Sequence, residues 1–161
     1  GNGNDRLDGG IGDDILQGNA GADRLFGNTG NDALLGGTGD DVLDGGSGTD
    51  LFVFSAQAGR DTIADFNPGE DIIVTGFSET GSLPNSATWN TTLRNSAVAA
   101  PATPWSFTNF DADGNGTPDS VLITGGTLGG DSIVLAGWST ATLVGQHYLN
   151  AQGQATGGWL H

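Results

Sequence analysis

Seventeen aspartates stand against two glutamates, Glu70 and Glu79, in a chain of 161 residues with four arginines and no lysine. Six of the aspartates recur every nine residues: Asp5, Asp14, Asp23, Asp32, Asp41 and Asp50. Short carboxylates at fixed spacing among glycines suit the ligation of a hard cation through oxygen, whereas a merely soluble acidic surface would use Glu freely. A net charge of −15 repels nucleic acid and anionic lipid and attracts cations. With no Cys, neither disulfides nor thiolate metal sites are available. Enzymatic signatures are missing: there is no His-Glu-x-x-His, no Gly-x-Ser-x-Gly and no phosphate loop with Lys. The only histidines, His147 and His161, lie 14 residues apart. No catalysis is expected.

The spacing belongs to a nonapeptide that runs through residues 1–53. Its full copies are 9–17, 18–26, 27–35, 36–44 and 45–53, and a copy lacking its first residue fills 1–8. Position six is always Asp, position four always Gly, and position eight always large and apolar (Leu7, Leu16, Leu25, Leu34, Leu43, Phe52). Position two is Gly except at Asn19 and Asn28. Gly reaches positive φ without steric cost, and Asn is the residue best tolerated there after Gly, so these substitutions fall where the backbone demands them.

The elements that would position the aspartates follow from this period. Gly-Gly-x-Gly-x-Asp is a half-turn that exposes carbonyl oxygens, and the next three residues make a short strand. Two repeats form one coil of eighteen residues, which stacks each loop on the loop two repeats away. A strand spacing of about 4.8 Å brings facing carbonyls and carboxylates within reach of one ion. Ca²⁺ takes six to eight oxygens at about 2.3–2.6 Å, and such a gap offers that mixture. The competing reading is a solenoid of Asx-turns held by hydrogen bonds alone. It would stack Asp5–Asp23–Asp41 and Asp14–Asp32–Asp50 as uncompensated like charges over a thin core, so metal is expected to supply part of the folding free energy.

These residues resemble the repeats-in-toxin (RTX), or haemolysin-type, calcium-binding family. The likeness extends through Asp50–Ser55 and Gly59–Ile73, which look like the segment closing the roll in secreted metalloproteases and epimerase R-modules. The resemblance implies an all-β fold, a right-handed parallel β-roll followed by a β-rich C-terminal cap. The expected divisions are a roll at 1–53, a closing segment at 54–75 and a cap at 76–161. It also implies a ligand set in which one loop gives carbonyls from positions two and four plus its Asp, and the loop above gives positions one and three plus its Asp. Carried over, Gly1, Gly3 and Asp5 face Gly18, Ala20 and Asp23, while Gly10, Gly12 and Asp14 face Gly27, Thr29 and Asp32. Then Asn19, Gly21 and Asp23 face Gly36, Thr38 and Asp41, and Asn28, Gly30 and Asp32 face Gly45, Ser47 and Asp50. At least four Ca²⁺ ions are expected.

Beyond Val53 the period slips, and Gly59–Ile63 restores positions four to eight two residues late. Asp61 can complete a fifth site with Gly37, Gly39 and Asp41, and Asp65 is either a ligand or a surface charge. Asp8, Asp13, Asp40 and Asp44 occupy variable positions and are read as solvated. Ile72–Val74, Ser120–Thr124, Asp131–Ala136 and Ala141–Val144 read as strands, and 79–104 as a long loop or irregular cap strand. Asp111, Asp113, Asn115 and Asp119 have the acidic start of an EF-hand loop, but Leu122 stands where its Glu belongs. That stretch is either a lone dockerin-like calcium loop or a Gly-rich turn. Trp89, Trp105, Trp138 and Trp159 form either a sugar-stacking platform or cap core.

No stretch approaches eighteen apolar residues, and the N-terminus lacks a basic-then-apolar leader. Gly1 falls inside a repeat, so the chain is expected to be the C-terminal piece of a longer protein. Two functions compete. One is a calcium-driven folding and export module of a secreted bacterial protein, carried by a one-step (type I, ABC) exporter that reads an uncleaved C-terminal signal. The other is a calcium-stabilised module that holds polysaccharide or a cell surface for a secreted enzyme or adhesin. A monomer without nucleic-acid partners is expected in either case.

Overall fold

A large apolar residue once per nine, flanked by outward positions, makes each repeat a short strand with one inward side chain. The computed structural model describes residues 1–55, 57–77, 105–125, 128 and 130–145. Successive strands alternate between two sheets. β1 (Arg6–Ile11), β3 (Arg24–Thr29), β5 (Val42–Asp44) and β7 (Arg60–Ile63) stack in parallel on one side. β2 (Ile15–Ala20), β4 (Ala33–Thr38), β6 (Leu51–Ser55) and β8 (Ile72–Phe77) stack in parallel on the other. Four strands a side make a parallel β-roll of about four turns.

The register follows the eighteen-residue coil. Leu7 lies beside Leu25, Leu25 beside Leu43 and Leu43 beside Ile63; across the roll Leu16 lies beside Leu34, Leu34 beside Phe52 and Phe52 beside Ile73. These position-eight side chains interlock in one buried cluster, only Leu7 in the first coil being partly exposed. The last two steps span twenty and twenty-one residues (43 to 63, 52 to 73), so the slipped chain returns to the same register. A second buried cluster on the outer face of the four-stranded sheet joins Ala33, Leu35, Leu51, Val53, Ile72 and Val74. Its signal is apolar residues at positions seven and nine of the fourth and sixth repeats, which a reading confined to position eight passes over.

β11 (Ser132–Ala136) adds in parallel to β7, and β10 (Ser120–Gly125) and β9 (Trp105–Phe110) follow antiparallel, extending the first sheet to seven strands. Val121, Ile123, Ile133 and Leu135 continue the roll's own core, so the cap shares its hydrophobic column. Strand β9 was not foreseen. Residues 141–144, expected as a strand, instead lie in a short helix, α1 (Thr140–Gly145), started by the Ser139 hydroxyl accepting the Thr142 N–H at 3.0 Å. Trp105 and Trp138 pack against the core, and the Trp138 indole N–H donates to the Phe66 carbonyl at 2.9 Å. Trp89, Trp159 and the loop expected at 79–104 lie outside the described residues.

The turns between strands have the predicted backbone. Asn19 and Asn28 sit at φ 82° and 75°, beside position-two glycines such as Gly37 at 113°. A Cβ on Gly37 would also strike the Asn19 carbonyl oxygen of the coil below. Gly37→Ala should therefore destabilise the calcium-loaded roll by at least about 1–2 kcal/mol. Asn28→Gly, which keeps the left-handed turn, should change stability by under about 1 kcal/mol. Thermal unfolding in calcium reads both, and equal effects would refute the steric account.

Candidate metal centre

Each repeat aspartate ends a loop where its side chain is short enough to bond the coil next to it. The main-chain N–H of Asp5 donates to Asp23 Oδ1 at 2.7 Å, that of Asp23 to Asp41 Oδ1 at 2.8 Å, and that of Asp41 to Asp61 Oδ1 at 2.9 Å. On the opposite edge Asp14 donates to Asp32 at 2.8 Å, Asp32 to Asp50 at 2.9 Å and Asp50 to Asp71 at 3.0 Å. Two rows result, Asp5–Asp23–Asp41–Asp61 and Asp14–Asp32–Asp50–Asp71. From Asp23 on, the members are buried, with Asp32 at 0% exposure.

From the second member of each row on, one carboxylate oxygen is thus satisfied. Oδ2 of Asp14, Asp23, Asp32, Asp41 and Asp50 is not: it is buried without a hydrogen-bond partner. An unpaired buried carboxylate oxygen costs several kcal/mol, about 1–3 for a neutral group and more for a charge. Five in two lines mark where positive charge belongs. First-position glycines adjoin them. A Cβ on Gly18 would collide with Asp23 Oδ2 and the Gly36 carbonyl oxygen, and one on Gly27 with Asp32 Oδ2 and the Gly45 carbonyl oxygen. Carboxylate and carbonyl oxygens from two coils therefore crowd each gap.

The main chain aims its carbonyls into the gaps in a regular way. Fourth-position N–H groups of Gly3, Gly12, Gly21 and Gly30 donate upward to the carbonyls of Ala20, Thr29, Thr38 and Ser47, at 2.7, 2.8, 2.9 and 3.0 Å. Gly18 accepts from the Gly1 amine at 3.0 Å, and the Asn28 carbonyl accepts from Ser47 N–H at 2.8 Å. Carbonyl oxygens of Gly3, Gly12, Asn19 and Gly21 abut the α-carbons of Gly21, Gly30, Gly37 and Gly39 in the coil above. The structure thereby brings together the four loop pairs expected from the sequence, with Gly10 beside Asn28 and Asp14 bonded to Asp32 on one edge, and Asn19 beside Gly37 and Asp23 bonded to Asp41 on the other. A fifth pair has the same form: Gly39 N–H donates to the Ala58 carbonyl at 2.9 Å, and Gly59 at φ 101° takes the fourth position below Asp61. Gln57, at φ 69°, takes the second. Ala58 and Gln57 were missed because the slipped period hides them. All donors are oxygen, and among the described residues no three His, Cys, Asp or Glu side chains converge, so carbonyls must complete any shell.

Three expectations need adjusting. Asp71, absent from the expected ligands, closes the second row. Its signal was legible, since Asp71-Ile72-Ile73 copies Asp50-Leu51-Phe52. Asp13 and Asp40 are not simply solvated: Asn31 N–H donates to Asp13 Oδ1 at 2.8 Å and Arg60 N–H to Asp40 Oδ1 at 3.0 Å. Asn4 and Asn31 accept from Ala22 and Thr49 in the same way, at 2.9 and 3.0 Å. Finally, Asp65 binds main-chain N–H groups of Gly45 and Gly46.

Asp111, Asp113, Asn115 and Asp119 lie far along the chain, in the exposed hairpin between β9 and β10. Asp111 accepts N–H from Gly116, Gly114 and Asn115 at 2.7, 2.8 and 3.2 Å. Asp119 Oδ1 accepts from Ala112 at 3.2 Å, and Asn115 Oδ1 from Thr117 at 2.8 Å. These main-chain bonds fold the stretch into a tight turn and hold Asp111 below the ordinary carboxylate range, that from Gly116 most.

Residues 1–34, 17–52 and 26–63 match the family profile described as RTX calcium-binding nonapeptide repeat (4 copies). Residues 1–63 are therefore RTX calcium-binding repeats. The AlgE6R3 subunit of the Azotobacter vinelandii mannuronan C5-epimerase is 29% identical, with TM-score 0.53, over 84% of this chain and 72% of that one. The extracellular lipase LipA from Serratia marcescens is 25% identical, with TM-score 0.47, over 92% of this chain but only 20% of its own. No curated protein matches.

Burial, ahead of like-charged neighbours, pushes Asp32 and Asp41 up from the ordinary carboxylate range, Asp71 to about 6, Asp50 to about 7 and Asp61 to about 8. Raised folded-state values mean that the folded chain holds protons the unfolded chain releases, so calcium-free stability falls as pH rises from about 4 to 8. Calcium-free protein should therefore keep more β signal at about pH 5 than at pH 8. With calcium the order reverses, because protons compete for the same carboxylates. Circular dichroism at both pH values, with and without calcium, checks the sign; no pH dependence without calcium would refute it.

Proposed function

We propose that this chain is a calcium-driven folding module of a secreted protein, holding at least four Ca²⁺ between the loops of its two aspartate rows. The observation that carries it is the five buried Oδ2 atoms without partners, lined up along the two rows. The donors in each gap are Asp plus carbonyls of positions one to four, as in Asn19, Gly21 and Asp23 with Gly36, Thr38 and Asp41. Asp61 with Gly37, Gly39 and Asp41 gives the fifth. When bound, calcium supplies the positive charge that lets facing carboxylates ionise, and contributes about 1.4 kcal/mol per site at ten times Kd. Over four sites this comes to about 5–6 kcal/mol, comparable to the stability of a small domain.

The row residues do the switching. Where calcium is scarce, Asp32 and its neighbours face one another with raised pKa values and the coils repel. In millimolar calcium the same residues bind and the coils stack. An unfolded chain inside and a folded one outside suits threading through a narrow exporter of the type I (ABC) class, with the export signal placed in the last sixty or so residues.

A second reading, attachment to polysaccharide, has its own observation. Arg6, Arg24 and Arg60 point outward from one sheet, with Arg6 over the Phe26 ring at 3.9 Å and Arg60 over the Phe110 ring at 5.5 Å. Cations flanked by rings suit a carboxylated glycan, and a subunit of a mannuronan epimerase is among the similar structures. A glycan array with and without calcium separates the readings.

Two outcomes test the main one. The calcium-free chain at neutral pH should lack most β signal and gain it cooperatively with a midpoint of about 10⁻⁴–10⁻³ M calcium. A full β spectrum in chelator would end the proposal. Asp32→Ala, which strips an oxygen donor from two gaps, should raise that midpoint well beyond the effect of Asp13→Ala, whose exposed carboxylate bonds only Asn31. Equal shifts would overturn the register of the sites. For export, a passenger fused to residues 100–161 should reach the medium of an exporter-bearing host, and one fused to 1–100 should not.

A further inference from the structure

The hairpin between β9 and β10 carries chemistry that the aspartate rows do not use. Asn-Gly occurs twice in the chain, at Asn2-Gly3 and at Asn115-Gly116. An asparagine before glycine is disposed to cyclise, because no Cβ on the next residue hinders its main-chain nitrogen from reaching the side-chain Cγ. What surrounds the two pairs differs.

At the first pair the nucleophile is engaged in the roll. Asn2 bridges Ala20 in parallel, and Gly3 N–H donates to the Ala20 carbonyl at 2.7 Å. A neutral carbonyl is a poor acceptor for the proton itself, and the ladder keeps the nitrogen where it is. That pair is protected.

At the second pair the nucleophile, the carbonyl and the leaving amine each have a partner suited to reaction. Gly116 N–H donates to Asp111 Oδ2 at 2.7 Å, so a carboxylate already holds the hydrogen that the nucleophile must lose. Asp111 lies below the ordinary carboxylate range and is therefore ionised at neutral pH. Thr117 N–H donates to Asn115 Oδ1 at 2.8 Å, which polarises the side-chain carbonyl and folds it back over the Gly116 peptide. Asn115 Nδ2, the group that must leave, donates to Asp113 Oδ2 at 2.8 Å, which fixes the amide plane. Gly114 and Gly116, at φ 75° and 88°, bend the chain around these contacts. Residues 112–119 are exposed, so water reaches the turn.

We propose that Asn115 is a self-modifying site, its side chain closing on the Gly116 nitrogen with Asp111 as the base. The nitrogen bonds to Cγ and its proton passes to Asp111. The Cγ–Nδ2 bond then breaks, and the amine takes up that proton and leaves as ammonia. One water opens the cyclic imide at either carbonyl and returns aspartate or isoaspartate. One water enters and one ammonia leaves, with no change of oxidation state. The product replaces a donor to Asp113 by a further carboxylate, in a turn that already holds Asp111, Asp113 and Asp119. Isoaspartate also lengthens the main chain by a methylene. Both changes loosen the turn that joins the two outermost strands of the seven-stranded sheet.

Peptide mapping by mass spectrometry tests this on the full chain, kept in calcium at neutral pH and sampled over weeks. Asn115 should convert to a mixture of aspartate and isoaspartate at least several-fold faster than Asn2. Asp111→Asn should slow Asn115 several-fold and leave Asn2 unchanged. A turn merely loosened by that substitution would react faster, so the direction of the change separates a base from a scaffold. Equal rates at Asn115 and Asn2, or a rate in Asp111→Asn at or above that of the wild type, would overturn the proposal.

Discussion

Everything in the roll depends on one unfavourable arrangement: carboxylates stacked a strand apart in two lines, with Asp23, Asp32, Asp41 and Asp50 each buried with one oxygen bonded and one left bare. The stacking requires Asp and forbids Glu, because Oδ1 must reach the main chain of the adjacent coil without slack. It requires Gly at the first position, because any Cβ there collides with the bare oxygen. The same oxygens, useless to a hydrogen-bonded solenoid, are the right donors for a hard cation. The acidic composition and the glycine content are thus two sides of one packing constraint.

Cross-coil bonds surround that constraint from both directions. At position six the lower coil donates its N–H to the upper coil's carboxylate, as Asp23 does to Asp41. At position five the upper coil donates to the lower coil's side chain, as Asn31 does to Asp13 and Thr49 to Asn31. Position five looks variable in sequence because any Asx serves and Ala22 or Thr49 can omit it. Position six cannot vary, since its second oxygen is needed as well.

The roll is legible in sequence because its requirements recur: Leu25, Leu43 and Phe52 announce the core, and Asn19 and Asn28 appear only where a left-handed backbone admits them. Legibility ends where recurrence ends. Gln57 adopts the second-position turn at φ 69° with nothing in its type to say so, because the loop above it is completed by Asp131, seventy-odd residues away. Strand β9 and helix α1 belong to ordinary globular packing, where short segments take their form from neighbours rather than from their own period. The outer cluster of Leu35, Val53 and Val74 shows that one sheet is covered on both faces, which a solenoid pattern alone does not announce.

The register carries one more consequence. Each loop finds its partner oxygens only in a loop of its own edge, and consecutive repeats lie on opposite edges. Adding a single nonapeptide would exchange the two edges for everything that follows and deliver the cap's β11 to the wrong sheet. The molecule's length is therefore quantised in whole coils of eighteen residues, while the odd two and three residues before β7 and β8 are absorbed in bends outside the ladder. Growth or loss of repeats in such a chain must proceed by pairs.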